Sequence, residues 1–368
     1  KTYGGSEGDA IAAIGIEQNG DIIIVRVYGQ CPPYTDTTIL RLDSDGNIKW
    51  QKTYENYRAE DVAIAPNGDI IVVGSTSTGG ISVLRLDPSG YIKWQKTYYE
   101  KKAEPKSIAI ASNGDIIVVG QTWLLINNTN PWTGDAWIFR LDQNGNIKWQ
   151  KIFLHKEFKD QWSYRAEEVS IAPNEDIIVV GNIWHEDTSG YGWILRLDPN
   201  GNIKWLRTYY YWWIYIWSSS VASSGDIIAV GSSSFRTGGD NFWIAKLPPD
   251  GNILNCPIQR DGSAIVYNTN ANISIPNIVA KDANFVVMNT NAIAKDTNAI
   301  VQTQCSMQTP SLECCPCEVT TDKDEYCPND SITITVKFCK ESRYCDPESF
   351  TVLLHKPSGV IDITDDFE

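Results

Sequence analysis

The stretch NGDIIVVG, residues 67–74, decides how the rest of the chain is read. Ile70 to Val73 are apolar without alternation, so a strand here must be buried on both faces. The element returns as NGDIIIV from Asn19, NGDIIVVG from Asn113, NEDIIVVG from Asn174 and SGDIIAVG from Ser224. After a loop of variable length, each copy is followed by a second element. These read ILRLDSDGNIKWQKTY from Ile39, VLRLDPSGYIKWQKTY from Val83, IFRLDQNGNIKWQKIF from Ile138, ILRLDPNGNIKWLRTY from Ile194 and a degraded IAKLPPDGNILNC from Ile244. The period, mostly between about 44 and 61 residues, is in the range of propeller blades.

Each unit predicts four antiparallel strands, of the types DVAIA, DIIVVG, ILRLD and IKWQKTY. Asn-Gly and Asp-Gly at the two tight turns supply the positive φ that such turns demand. Sheets packed face to face in a ring bury the second strand of every unit, whereas a lone sandwich would leave one face wet and alternating. The expected fold is therefore all-β, a β-propeller of about five four-stranded blades over residues 1–258. There is room for a sixth blade built from the segment that follows. The opening KTYGG repeats the end of a fourth strand and is expected to complete the last blade. Asp21, Asp69, Asp115, Asp176 and Asp226 begin the second strands, and Arg41, Arg85, Arg140, Arg196 and Lys246 end the third. Antiparallel pairing sets them side by side, so each blade is expected to hold one structural ion pair.

The GDIIVVG and RLDPNGNIKW elements, repeated from Lys1 to about Cys256, resemble the propeller repeats of secreted archaeal proteins, in the pattern of the NHL and WD40-like superfamily. The resemblance implies a fold and no single activity. Residues 259–312 change character. NTNANIS, KDANFVV, NTNAIAK and DTNAIVQ are short Asn-rich, β-prone pieces, read as a connector or an added β-layer. Residues 313–368 carry SITITVKF, which alternates cleanly, and SFTVLLHKPSG. They resemble an immunoglobulin-like surface module, a Cys-rich β-sandwich too short to be complete.

Composition narrows the function. A net charge of −14 with no basic run excludes a nucleic-acid partner, and the longest apolar run falls short of the ~20 residues of a membrane span. No cofactor motif is present. Of nine cysteines, Cys31 and Cys256 stand apart, while Cys305, Cys314, Cys315, Cys317, Cys327, Cys339 and Cys345 crowd the end. All are disulfide candidates, because the histidines are too dispersed to complete a zinc site. With sequons at Asn127, Asn272 and Asn329, the cysteine density points to an extracellular, cell-surface setting.

The loops after the second strands differ most between copies, and binding is expected there. The aromatic run from Tyr209 to Trp217 is placed on that variable side, as a crossing between blades. Tyr209, Tyr211, Trp212, Trp213, Tyr215 and Trp217 are the expected protein-contact patch, for self-association or for other surface proteins. Trp123, Trp132, Trp162, Trp184 and Trp193 are candidates for stacking on glycans. Asp9, Glu60, Glu104 and Glu167 precede or enter the first strands and offer an acid–base pair, but they read as solvated repeat features. The leading expectation is thus a non-catalytic adhesin, surface-layer or filament subunit, not an enzyme. A carbohydrate-binding propeller is the alternative, followed by a glycoside hydrolase or lyase.

Overall fold

The tight turns between strands 1 and 2 and between strands 3 and 4 of a blade admit only certain backbones. In the computed structural model Gly114 has φ 81° and Gly201 φ 75°, and the equivalent turn in the fourth unit puts Glu175 at φ 67°. The longer turn is held by an aspartate: Asp142 accepts from the amides of Asn144 and Asn146 and from Asn146 Nδ2. This is why LDxxGN recurs. The structure describes residues 2–4, 9–28, 36–77, 79–99, 102–123, 134–155, 162–185, 190–209, 213–234, 240–253, 256, 258–262, 264–269, 271–274, 278, 280–282, 286–288, 318–321, 334–337, 353–356 and 359–362.

A short strand β1 (Thr2–Gly4) precedes the blades. Blade 1 is β2 (Asp9–Ile16), β3 (Ile22–Tyr28), β4 (Asp36–Leu42) and β5 (Ile48–Tyr54). Blade 2 is β6 (Tyr57–Ile64), β7 (Ile70–Thr76), β8 (Ile81–Leu86) and β9 (Ile92–Tyr99). Blade 3 is β10 (Ala103–Ile110), β11 (Ile116–Thr122), β12 (Asp135–Leu141) and β13 (Ile147–His155). Blade 4 is β14 (Trp162–Ile171), β15 (Ile177–His185), β16 (Gly190–Leu197) and β17 (Ile203–Tyr209). Blade 5 has β18 (Trp213–Val221), β19 (Ile227–Ser234) and β20 (Asp240–Leu247). All pair antiparallel in chain order within a blade, and the first strands β2, β6, β10, β14 and β18 stand in a row. The chain is therefore all-β with repeated, propeller-like antiparallel sheets. Among the described residues the row is not closed into a ring: no pairing joins β1 or β2 to β20.

The unbroken apolar run is explained at the seams between blades. Ile71 and Val73 of β7 face blade 3, while Ile116 and Val118 of β11 face back. One step on, Ile117 and Val119 meet Ile177 and Val179. Alternate residues of one strand thus serve two different seams. The expected ion pairs are present in all five units: Asp21–Arg41, Asp69–Arg85, Asp115–Arg140, Asp176–Arg196 and Asp226–Lys246. The arginines do more than pair. Nη1 of Arg41, Arg85, Arg140 and Arg196 donates to a turn carbonyl of the next blade, at Pro88, Gln143, Pro199 and Pro249. The indole N–H of Trp50, Trp94, Trp149 and Trp205 donates to the same four oxygens. The RLD and IKW motifs recur because each sheet is stitched to its successor through them.

The Asn-rich segment lies against the blades as a strap. β21 (Gln259–Asp261) adds to β17, β22 (Ala264–Asn268) to β13, β23 (Asn272–Ser274) to β9, β24 (Ala280–Asp282) to β5 and β25 (Val286–Met288) to β1. It runs through the blades in reverse order and gives the first four a fifth strand. Among the described residues the start of the chain pairs with this strap and not, as expected, with the last blade. The compact unit holding the blades spans residues 1–252 and 258–296.

A second unit comprises residues 253–257 and 297–368. Its described strands are β26 (Glu318–Thr321) with β27 (Ile334–Lys337), and β28 (Leu353–Lys356) with β29 (Gly359–Asp362). They make two separate two-stranded sheets, and the described residues show no sandwich and no immunoglobulin-like module. Cys256 is disulfide-bonded; Cys31, Cys305, Cys314, Cys315, Cys317, Cys327, Cys339 and Cys345 lie outside the described residues.

Candidate functional site

Every first strand carries a β-bulge at the same height. The pairing register shifts between Ile11 and Ala13, Ala59 and Asp61, Pro105 and Ser107, Ala166 and Glu168, and Ile216 and Ser218. A bulge adds one residue and re-aims its side chain. The five added residues are Ala12, Glu60, Lys106, Glu167 and Trp217, one per blade. A uniform frame thus presents a chemically unequal set, with two glutamates on either side of one lysine.

Lys106 Nζ lies 4.0 Å from Glu167 Oε2, and Arg58 Nε lies 3.2 Å from Glu60 Oε1. Burial raises the Glu60 carboxyl, with Arg58 and Lys106 pulling it back and Glu104 adding to the rise. Glu167 is also raised by burial, against Lys106, a hydrogen bond from Asn182 and the charge of Arg165. The side chains stay within reach of solvent, at 33 % exposure for Glu60 and 15 % for Glu167. Carboxyls held above their ordinary range beside a cation are the usual equipment of acid–base chemistry.

A second layer fixes the bulges. Asp61 accepts from Ser107 Oγ at 2.7 Å and from the amides of Val62 and Ile108 at 2.7 and 3.0 Å. Ser107 Oγ in turn accepts from the Val169 amide, and Glu168 accepts from the Ser219 amide at 3.0 Å. Burial pushes the Asp61 and Glu168 carboxyls up against these bonds. The network crosses from blade 2 to blade 5. Asn182, fully buried, clamps Ile216 through both its amide and its carbonyl.

Asp135, at the start of β12, is pushed up to about 8 by burial. A carboxyl raised on folding contributes stability that is complete below its unfolded value near 4 and is lost as pH rises towards 8. Asp135→Asn is therefore expected to flatten the fall in thermal midpoint between pH 5 and 8, leaving the variant the more stable form at pH 8. Thermal unfolding across that pH series checks it.

The aromatic run divides differently from the expectation. Tyr209 ends β17 and is fully buried, so it is no surface contact. Tyr211 and Trp212 lie outside the described residues. Trp213 and Tyr215 are half-buried and Trp217 is exposed, all three on β18 itself and not on a crossing between blades. Tyr215 stacks between Trp184 and Trp217, with ring centroids 4.6 and 5.6 Å away. Arg165 sits over the Trp184 ring. Among the expected glycan-stacking residues, Trp193 is fully buried and corrected to the core. Trp184 has a face covered by Tyr215, and Trp123 is half-buried under Lys102. Trp162 is in β14, while Trp132 lies outside the described residues. Asn272 is in β23; Asn127 and Asn329 also lie outside the described residues. Asp9 opens β2, and Glu104 sits two residues before the added residue Lys106. The reading from sequence missed Lys106, Asp61 and Glu168. Among the described residues no group of three or more His, Cys, Asp or Glu side chains could hold a metal ion.

No family model matches the chain, and no curated protein does. Among solved structures, a protein of unknown function from Dyadobacter fermentans is 12 % identical with a TM-score of 0.49, over 72 % of this chain and 84 % of that one. A Synechocystis apocarotenoid oxygenase is 14 % identical with a TM-score of 0.40, over 74 % and 66 %. A putative gluconolactonase is 14 % identical with a TM-score of 0.34, over 71 % and 83 %. At this identity the likeness is one of fold. Two of the three are named as enzymes, against the expectations of a non-catalytic surface or filament module and of no enzymatic activity; at these scores neither name carries over to this chain. What those proteins act on is said of them alone.

Proposed function

We propose that the chain is an acid–base enzyme working at the Glu60–Lys106–Glu167 cluster on polar, sugar-like substrates, by hydrolysis or elimination. The observation that carries this is the presence of two raised glutamates and one lysine on equivalent bulges, held by a buried polar network. In such a site one carboxyl gives its proton to a leaving oxygen, while the other takes a proton from water or from carbon. Lys106 keeps the accepting carboxylate ionised and offsets the negative charge that develops. The exposed Trp217, on the bulge of the adjoining blade, supplies an apolar wall. An extracellular location belongs to the same proposal and is supported by the cysteine density. So does the finer fold, in which the blades are part of a β-propeller followed by a small Cys-rich β-module.

The test is turnover on a panel of polysaccharides and aryl glycosides. Glu60→Gln and Glu167→Gln are each expected to lower kcat at least about a hundredfold, and Lys106→Met to move a limb of the pH profile upward. Absence of turnover on every substrate, or glutamine variants as active as the parent, overturns the proposal.

A further inference from the structure

The two ends of the row of blades expose the two halves of an interface that is buried at every interior seam. On blade 1, Ile11 and Ile14 are 70 % and 62 % exposed; they pair with Arg26 and Ile24. Their equivalents on blade 2, Ala59 and Val62, pair with Gly74 and Val72 and are buried against blade 1. Ile16 is 70 % exposed on the same face. At the other end Phe242 is 96 % and Ile244 71 % exposed, with Val230 beside them at 37 %. Their equivalents on blade 2 are Ile81, Val83 and Val73, all fully buried against blade 3. Each end therefore presents apolar side chains at the positions that a neighbouring blade of this repeat covers at the interior seams, with Arg26 beside Ile11 and Ser232 beside Phe242 on the same faces. Exposed apolar faces on this scale are unusual for a finished surface.

The strap identifies where such a blade attaches. It meets equivalent fourth-strand residues at a fixed interval: Tyr209 pairs with Gln259, Phe153 with Val266, Tyr98 with Ile273, Tyr54 with Ala280 and Tyr3 with Val287. Each step is seven residues and one blade. By this register Tyr3 is a fourth-strand tyrosine like Tyr54, and Lys1-Thr2-Tyr3 repeats Lys52-Thr53-Tyr54. Among the described strands β1 pairs only with β25 and not with the three strands of blade 5. We propose that the blade 1 end face takes a further blade of this same repeat, of which β1 is the fourth strand. The inference does not depend on the catalytic reading.

The experiment compares the chain as it stands with one carrying a copy of residues 103–150 directly ahead of Lys1, so that strand 4 reads continuously through IKWQ into KTY. The added blade is expected to raise the unfolding midpoint by roughly 5 °C or more and to lower binding of a hydrophobic dye. Ile14→Asp with Ile16→Asp is expected to abolish that gain while leaving the unextended chain's midpoint unchanged. Three results overturn the proposal. One is an extension that gives no gain. Another is an unextended monomer that loses stability on the double substitution, which means that blade 5 already covers blade 1. The last is a sedimenting dimer that the double substitution disperses, which means that a second copy covers it.

Discussion

Asp115→Ala is expected to lower the free energy of unfolding by about 3–5 kcal/mol, because it strands a buried guanidinium. Arg140 is buried, and its Nε donates to Asp115 at 2.9 Å. Lys148 Nζ and Asn113 Nδ2 converge on the same carboxylate oxygen at 2.6 and 3.0 Å. Removing the acceptor leaves Arg140 without its carboxylate and loosens its bond to Pro199 of blade 4. The damage therefore reaches a second sheet. Burial works to raise the Asp115 carboxyl, but Lys148, Asn113 and Arg140 outweigh it and hold it below the ordinary range. A carboxyl lowered on folding gives stability that is present above its unfolded value and lost as pH falls through the folded one. The difference between parent and variant should accordingly shrink in acid. Asp226→Ala is the internal control. Its partner Lys246 is 55 % exposed, so water replaces the lost contact and a much smaller change is expected. Urea denaturation at pH 7 and pH 3 measures both, and equal losses at the two aspartates would contradict the argument.

The blades were legible because their signals are local and repeated. The turn glycines, the doubly buried second strand and the Asp–Arg spacing each act over a few residues, and five copies average out their variation. The strap was legible only as β-prone pieces that left a connector and an added β-layer equally open, because stretches such as Asn272–Ser274 are too short to show alternation. Its one signal was spacing, since Asn270, Asn277, Asn284, Asn291 and Asn298 fall seven apart. The candidate site was hidden by the position of Glu104, which lies two residues ahead of the place that Glu60 and Glu167 occupy in their units. Read along the sequence, Glu60, Glu104 and Glu167 look like one repeated feature. The register sets Glu104 opposite Gln121, level with Arg58 and Arg165, and puts Lys106 level with the two glutamates. Counted back from the aspartate of the second strand, Glu60, Lys106 and Glu167 fall at the same offset and Glu104 falls two residues earlier, so the apparent repeat of acids is an acid–base–acid arrangement. The aromatic run was misplaced for a related reason: β18 begins at Trp213, so these rings belong to a first strand.

Trp193→Ala is expected to cost about 3–5 kcal/mol, the range for emptying a core aromatic site. The ring is fully buried at the seam of blades 3 and 4, 5.3 Å from the Tyr164 ring. It lies over Gly181, where an added Cβ would come within 2.6 Å of the indole and within 1.9 Å of the Arg165 carbonyl oxygen. Gly181 pairs with Ala166, directly beside the bulge that carries Glu167. The glycine of DIIVVG is thus demanded by the close approach of the first strand and not by the bulge, since blade 1 bulges with Arg26 at the same place. Gly181→Ala should destabilise the parent and still destabilise the Trp193→Ala background, because removing the indole leaves the backbone clash untouched. The two substitutions separate in their second readout. Trp193→Ala empties a side-chain site without forcing the first-strand backbone to move and, on the proposed chemistry, should leave kcat near the parent value below its lowered midpoint. Gly181→Ala displaces the strand bearing Glu167 and should lower kcat at the same temperature. Chemical denaturation of the four-member cycle, with kcat measured on each member, decides both points, and a Gly181→Ala protein of parental stability would refute the packing account.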